Sequence, residues 1–295
     1  LAKGHGLDAG ARLAGRVSGD STVAYAFAFA LAVEAGLNWT IPPRAQLLRG
    51  IMAELERLSH HVNDIGAICN DASVVAIHAR CTLMREQVLQ TVKQCFGHRI
   101  MMDRIVPGGV AVDLADQDAA QILDLLRRIE VEFARIMAVY DNAPSLQDRT
   151  VTTGIVKPHL AQRFAAGGFV GRASGRAFDT RSVYAYAPYD ALTFTAALRS
   201  EGDVDARLGV RGDEVSSSIG LIRQMLKKLE PGAIASPRPV LKACEGSAMV
   251  EAFRGDVLIN VRLDRQGKIA CLHARDASWF QWPLLEAAIE GKVPN

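Results

Sequence analysis

The sequence predicts a mainly α fold: a bundle of long helices with a smaller α+β lobe. Three observations carry this. Four long segments before residue 141 are apolar all round or repeat apolar residues every three or four positions. The connections between them are modest in length. Period-two alternation appears only after residue 256. With 49% hydrophobic residues among 295, the chain can bury a sizeable core.

Taken in order, residues 1–15, LAKGHGLDAGARLAG, are rich in Gly and Ala and read as loop. A helix is expected from Ser21 to Ala35, apolar almost all round as a central helix should be. Its apolar stretch, TVAYAFAFALAVEAGL, is shorter than the roughly 20 residues a membrane span needs and contains Glu34. It therefore reads as a buried core helix. NWTIPPR breaks it, and the prolines suit the first turn of the next helix.

That helix, Ala45 to Ala67, carries Leu48, Ile51, Leu55, Leu58, Val62 and Ile65 on one face. At 1.5 Å per residue it would be about 35 Å long. A third helix fits Val74 to Phe96, with Ile77, Cys81, Met84, Val88 and Cys95 on one side. A fourth fits Asp118 to Tyr140, with Ile122, Leu126, Ile129, Phe133 and Ile136.

Residues 142–202 mix Gly, Pro, Ser and short aromatic runs, so short helices and irregular chain are expected there. Asp213 is placed to cap a helix running to Leu229, which EPG ends. Val257, Ile259, Val261 and Leu263 alternate as a strand, DRQG turns, and KIACLHA returns. A last helix is expected in WPLLEAAIEG, with Pro283 early and Gly291 as its stop. The expected division is a bundle over 1–165 and an α+β lobe over 166–295, as two units or one continuous domain.

Net charge is +2, with Lys and Arg dispersed, which excludes the basic footprint of a nucleic-acid binder. The five cysteines, at 69, 81, 95, 244 and 271, form no CxxC, and their number is odd. That is the usage of a reducing compartment. The chain starts on Leu rather than Met and stops on GKVPN, so it reads as a fragment or as a chain with processed ends.

Chemistry-bearing residues concentrate on the long helix. Glu54, Arg57, His61 and Asp64 fall at spacings of three and four and share a face; Glu56, His60 and Asn63 line the adjacent strip. Two readings stand side by side: a solvated or salt-bridged face, or a proton path in which histidine is the relay. Asp71 is placed as N-cap of the following helix. PGGV at 107–110 is a turn without the rest of a phosphate loop. No dinucleotide fingerprint, hydrolase elbow or zinc spacing is present.

Several segments in order carry a resemblance: GRVSGDSTVAYAFAFALAVE, PPRAQLLRGIMAELERLSHHVNDIGAICND, FGHRIMMDRIVPGGV, VEAFRGDVLINVRLD and SWFQWPLLEAAIEG. Together they resemble the large subunit of [NiFe] hydrogenases, closest to the formate-hydrogenlyase type and its counterpart in respiratory complex I. The resemblance implies that family's helical bundle with flanking α+β parts. It also implies that RVSGDS stands where a working hydrogenase has RxCGxC, so that Ser18 and Ser21 replace two nickel-binding cysteines. Thiolates are soft ligands and serine hydroxyls are poor substitutes. In the complex I relative this cavity receives quinone; Gly19 stands where that relative has a tyrosine, and Asp71 matches an aspartate facing the cavity. Glu54, Arg57 and His61 match family positions on the long helix.

The resemblance implies the large subunit of a hydrogenase-like, complex I-related, membrane-associated oxidoreductase, moving electrons or protons with NADH or formate as donor and quinone or protons as acceptor. Glu54, Arg57, His61 and Asp71 are then the candidate polar or proton-conducting residues, and Ser18, Gly19 and Ser21 the lining of a degenerate metal or quinone pocket. No cofactor is expected in this chain: no Ni–Fe centre, an iron–sulfur cluster in a small partner subunit, and quinone as a bound substrate. Expected partners are that small iron–sulfur subunit and complex I-like peripheral and membrane subunits, with the chain peripheral on the cytoplasmic, inner face of the membrane. The alternatives are a non-catalytic scaffold or assembly subunit, and a Ni–Fe hydrogenase with unusual ligands. The serines as mere helix caps is the plainer reading of that segment.

Overall fold

A computed structural model describes residues 1–290. Helix α2 (Thr22–Leu37) is the axis of the molecule. It is buried on nearly every side, as its all-round apolar sequence requires. Helix α3 (Pro43–Asp71) starts on the expected proline and runs for 29 residues, about 44 Å at 1.5 Å per residue. It is longer at both ends than the apolar periodicity alone marked. Helices α4 (Val75–Phe96) and α5 (Asp116–Asp141) bury the expected stripes, Ile77, Cys81, Met84, Val88 and Cys95 on one and Ile122, Leu126, Ile129, Phe133 and Ile136 on the other. Between them a two-stranded ribbon, β1 (Ile105–Val106) and β2 (Gly109–Val110), turns at PGGV.

Residues 142–202 hold short helices, α6 (Pro144–Thr150), α7 (Pro158–Arg163), α8 (Gly168–Ala173) and α9 (Thr180–Val183), joined by irregular chain. Helix α10 (Val204–Lys227) then lies along α3. Strands β3 (Cys244–Ala252), β4 (Gly255–Leu263) and β5 (Ile269–Arg275) form an antiparallel sheet in sequential order, and helix α11 (Ser278–Glu290) follows. The sheet presents Val250, Val257, Ile259, Val261 and Leu263 to α2. The two layers meet closely at Gly246, where a Cβ would stand 2.0 Å from the Ala32 carbonyl oxygen. One apolar core runs continuously from Leu7 to Ile269.

Five expectations are corrected. Residues 7–14 are helical, α1 (Leu7–Ala14), rather than loop. Their Gly and Ala content reflects close packing, since a Cβ on Gly10 would stand 2.4 Å from Ile269 and 2.7 Å from Phe29. Asp213 lies inside α10; the cap is Asp203, whose carboxylate accepts from the Ala206 amide at 2.8 Å. Asp71 is the last residue of α3 and does not cap α4, whose N-cap is Val74 without a side-chain bond. Pro283 sits within α11 rather than in its first turn; the Gly291 stop lies outside the described residues. The sheet also has a strand more than the expected hairpin, because β3 carries Glu, Gly and Ser where alternation would show.

PGGV is a structural turn. The Arg49 guanidinium pairs with Glu34 at 2.6 and 2.9 Å and donates to the carbonyls of Val106 and Gly109. Glu34 in turn accepts from the Gly108 amide at 2.8 Å. Gly108 has φ +96 and a Cβ there would strike Trp39, so glycine is required. Glu34, the one charge in the apolar α2 sequence, is therefore the anchor of this turn. Among the described residues no helix is long and apolar enough to cross a membrane.

Candidate functional site

The polar face of α3 points inward. Glu54, Arg57 and His61 are each at most 1% exposed, so this face is ion-paired but not solvated. Its partners come from four other parts of the chain, and together they make a cluster inside the molecule.

Glu54 accepts from Tyr189 Oη at 2.7 Å, Ser218 Oγ at 2.6 Å, Arg181 Nη1 at 3.0 Å and Arg57 Nε at 3.3 Å. Arg57 reaches across to the sheet and donates to the carbonyls of Glu251 and Ala252. His61 Nε2 lies 2.5 Å from Glu214 Oε2 on α10. Arg172, on α8, bridges Glu214 to Glu251, meeting Glu251 Oε1 at 2.8 Å. Arg181 is held by Asp179 through its Nη2 at 2.7 Å and its Nε at 3.0 Å, and Glu251 accepts from the Thr180 amide at 2.9 Å. Buried charges persist only when paired and hydrogen-bonded in this way.

Burial disfavours every charge here, and the neighbours decide the outcome. Burial raises Glu54, but Arg181 and Arg57 outweigh it and hold the carboxyl below the usual range. Glu214 is likewise held well below that range, against burial, by Arg172 and His61. Burial pushes His61 down more than Glu214 pulls it up, so the imidazole is neutral. Glu251 goes the other way: burial and the Asp179 carboxylate push it up, and Arg172, Arg57 and Arg181 do not fully compensate.

A second strip of α3 serves α2. Both carboxylate oxygens of Glu56 accept from the amides of Val23 and Ala24, at 2.7 and 3.1 Å. A carboxyl group from another helix thus fills the role of an N-cap. Ser21 occupies the N-cap position but its side chain makes no capping bond, which corrects the plainer reading of that serine. Burial pushes Glu56 up to about 8 and His60 down to about 4. The sign of the pH effect follows. Glu56, raised above its ordinary 4.5, contributes stability that is full below that value and is lost as pH climbs to about 8. His60, depressed from 6.5, contributes stability that is lost only as pH falls from 6.5 towards 4. Between pH 6.5 and 8 His60 is neutral folded or unfolded, so wild-type thermal stability should fall across that window and Glu56→Gln should flatten the fall. An unchanged slope in the variant would remove Glu56 as the cause.

Beside this lies a cavity of about 750 Å³. Ser18, Asp20, Tyr25, Arg254 and Asp276 make its polar end, and Trp279, Trp282, Leu284 and Leu285 of α11 its apolar wall. Asp20 accepts from Ser18 Oγ and from Arg254 at 2.7 and 3.1 Å; Tyr25 donates to Asp276 at 2.6 Å. Ser18 and the Arg254 bond hold the Asp20 carboxyl below its usual range against the upward push of burial. Gly19 and Ser21 are not on this wall. Gly19 is exposed, with open space where a side chain would project, and Ser21 is buried beneath it. The cavity and cluster adjoin through Phe253, which follows Ala252 and precedes Arg254: His60 stacks on its ring at 4.6 Å and His61 meets its edge at 5.9 Å.

Asp71 stands apart, exposed at the end of α3 and about 15 Å beyond His61 along the helix. Arg172, Asp179, Arg181, Glu214 and Glu251 were not singled out from sequence. Only Glu214 had a usable signal: Arg207, Arg211, Glu214 and Ser218 repeat at three and four along α10.

The donor set does not suit a soft metal. Ser18 offers a hydroxyl already bonded to Asp20, Asp20 is paired with Arg254, and none of the five cysteines is on the cavity wall. Among the described residues no three His, Cys, Asp or Glu side chains converge as around a metal ion.

Comparison with known proteins agrees with this architecture. The family model described as the 49 kDa subunit of respiratory-chain NADH dehydrogenase matches residues 71–244. The carbon monoxide-induced hydrogenase of Rhodospirillum rubrum is 31% identical over 265 residues, which is 89% of this chain and 73% of that protein. NADH-quinone oxidoreductase subunit 4 of Thermus thermophilus is 32% identical over 73% of this chain and 53% of its own length. Formate hydrogenlyase subunit 5 of Escherichia coli is 28% identical over 95% of this chain, which spans half of that relative. A chain of the membrane-bound sulfane sulfur reductase, an archaeal respiratory membrane complex, superposes with a TM-score of 0.91 over 98% of this chain and 80% of its own, at 25% identity.

Proposed function

The chain belongs to the family of the 49 kDa subunit of respiratory-chain NADH dehydrogenase, and from that premise we propose that it is the large, hydrogenase-like subunit of a complex I-related membrane oxidoreductase that has given up nickel chemistry. Its relatives include subunits of an NADH-quinone oxidoreductase and of formate hydrogenlyase, and a chain of an archaeal respiratory membrane complex. In this reading the cavity at Ser18 is the redox-substrate pocket, and the buried α3 cluster moves the protons that accompany electron transfer. Electrons arrive from an iron–sulfur cluster in a small partner subunit, and the chain sits peripherally on the inner face of the membrane with complex I-like partners. Quinone is the acceptor best matched by the pocket: Trp279 and Trp282 supply flat apolar surface, and Ser18, Asp20, Arg254 and Tyr25 supply hydrogen-bonding groups at one end.

One observation carries the reading. At the segment where the resemblance puts two thiolates, the chain places a hydroxyl, a carboxylate and a guanidinium already bonded to one another. That arrangement can hydrogen-bond an oxygen-bearing substrate, with the ionised Asp20 carboxylate as a proton acceptor; it cannot replace thiolate donors.

The test is made on the complex purified from its native host. Elemental analysis is expected to find iron but no stoichiometric nickel, and the complex is expected to turn over with quinone. Asp20→Asn is expected to lower that turnover by about 10²-fold with assembly intact, the usual contribution of a positioned acid–base group. One nickel per chain, or hydrogen turnover, would overturn the proposal in favour of a hydrogenase with unusual ligands. Unchanged turnover in Asp20→Asn would leave a scaffold.

A further inference from the structure

The buried cluster does not balance if each group carries its ordinary charge. Its carboxylates are Glu54, Asp179, Glu214 and Glu251; its guanidiniums are Arg57, Arg172 and Arg181; all seven are at most 1% exposed. With His61 neutral, four negative charges face three positive ones. An uncompensated charge at this depth is strongly unfavourable, and a buried site relieves it by binding a proton.

The contacts say where that proton goes. Glu54 receives four donors. Asp179 receives the Arg181 amide, Nε and Nη2, with Arg172 at 3.4 Å. Glu214 receives His61 and Arg172, with Arg57 at 3.8 Å. Glu251 receives only Arg172 Nη1 and the Thr180 amide. The Thr180 hydroxyl is itself buried without a partner, on the residue whose amide already touches Glu251. His61 is the poorer seat. A proton on Nδ1 would be a buried donor without an acceptor, enclosed by the rings of Phe169 and Phe253.

We propose that Glu251 is protonated at neutral pH, as a proton-binding site that neutralises the cluster and is linked through Arg172 and Glu214 to His61. The groups facing it are Arg172 from α8, Asp179 and Arg181 around α9, Arg57 and Glu54 from α3, Glu214 from α10, Tyr186 against its own amide, and Arg176 from the chain after α8. Arg176 is partly open to solvent, where its charge is screened, and it donates to the Ala166 carbonyl. Arg211, beyond Glu214, is paired with Asp64. The upward push of burial and Asp179 on Glu251 agrees with this assignment. Use of this proton in turnover rests on the function proposed above; its presence rests on charge balance alone.

The test reads the protonated-carboxyl C=O band of the intact complex by infrared spectroscopy at pH 7, with glutamate isotopically labelled in this chain. Two buried acids are expected to contribute, Glu56 and Glu251, each with a band that shifts in heavy water. Glu56→Gln should remove one and leave the other; Glu251→Gln should remove the other. Because Glu251→Gln can impair assembly, the Glu56→Gln complex decides alone: no protonated glutamate band remaining in it overturns the proposal. So does a band that survives Glu251→Gln in the Glu56→Gln background. A failure of quinone turnover would leave these bands in place, so the two proposals fail separately.

Discussion

Replacing Arg172 by Met will lower the unfolding free energy by about 3–5 kcal/mol, the scale of loss when one partner of a buried ion pair is deleted. Arg172 is fully buried and pairs with the side-chain carboxyls of both Glu214 and Glu251, with Asp179 at 3.4 Å. Its guanidinium also donates to the Phe178 carbonyl at 3.0 Å, which ties the chain between α8 and α9 to the cluster. Methionine fills a similar volume, so the loss is electrostatic rather than a cavity effect. The thermal midpoint of the complex measures it. Adding Glu214→Gln to Arg172→Met neutralises the carboxylate that Arg172 chiefly holds ionised and should recover part of the loss. Strict additivity of the two would mean that Arg172 acts elsewhere.

Arg49→Met is expected to cost a similar amount, about 3–5 kcal/mol, by a different route. It leaves Glu34 buried inside α2 with only the Gly108 amide, and it frees the carbonyls of Val106 and Gly109. The consequence is local as well as global. The β1–β2 turn loses its anchor, so amide hydrogen exchange at Gly108 and Val110 should accelerate more than exchange in α5. Exchange that rises equally everywhere would show a general loss of stability without a clamp. Glu34→Gln paired with Arg49→Met should be milder than Arg49→Met alone, since it removes the orphaned charge.

Both variants act through groups that differ in how far the sequence betrays them. Glu34 was visible as the single charge in an apolar helix, and its burial could be expected from that alone. Arg49 was not, because on α3 it lies between apolar positions and reads as a surface residue. The same contrast runs through the site. Glu54, Arg57 and His61 share a face by spacing, so their grouping was legible. Whether that face met water or protein was not, because a helix carries its own periodicity but no record of what packs against it. Asp71 shows the opposite case: a residue matched by resemblance that the fold leaves exposed beyond the cluster.

The sequence by itself determined the long helices, the apolar stripes that join them and the hairpin after residue 256. These depend on residues a few positions apart, where periodicity and motif are readable. Only the tertiary structure decided that Arg172, Asp179, Arg181 and Glu251, drawn from short helices and a strand without strong alternation, surround the polar face of α3. It alone supplied Glu56 as the cap of α2 and set Asp20 against Arg254 at the cavity. The physical reason is range. A buried charge is stabilised by whichever opposite charge folding brings within a few ångströms, and such partners can lie far apart in sequence, as Arg172 and Glu251 do at 79 positions and Glu54 and Arg181 at 127.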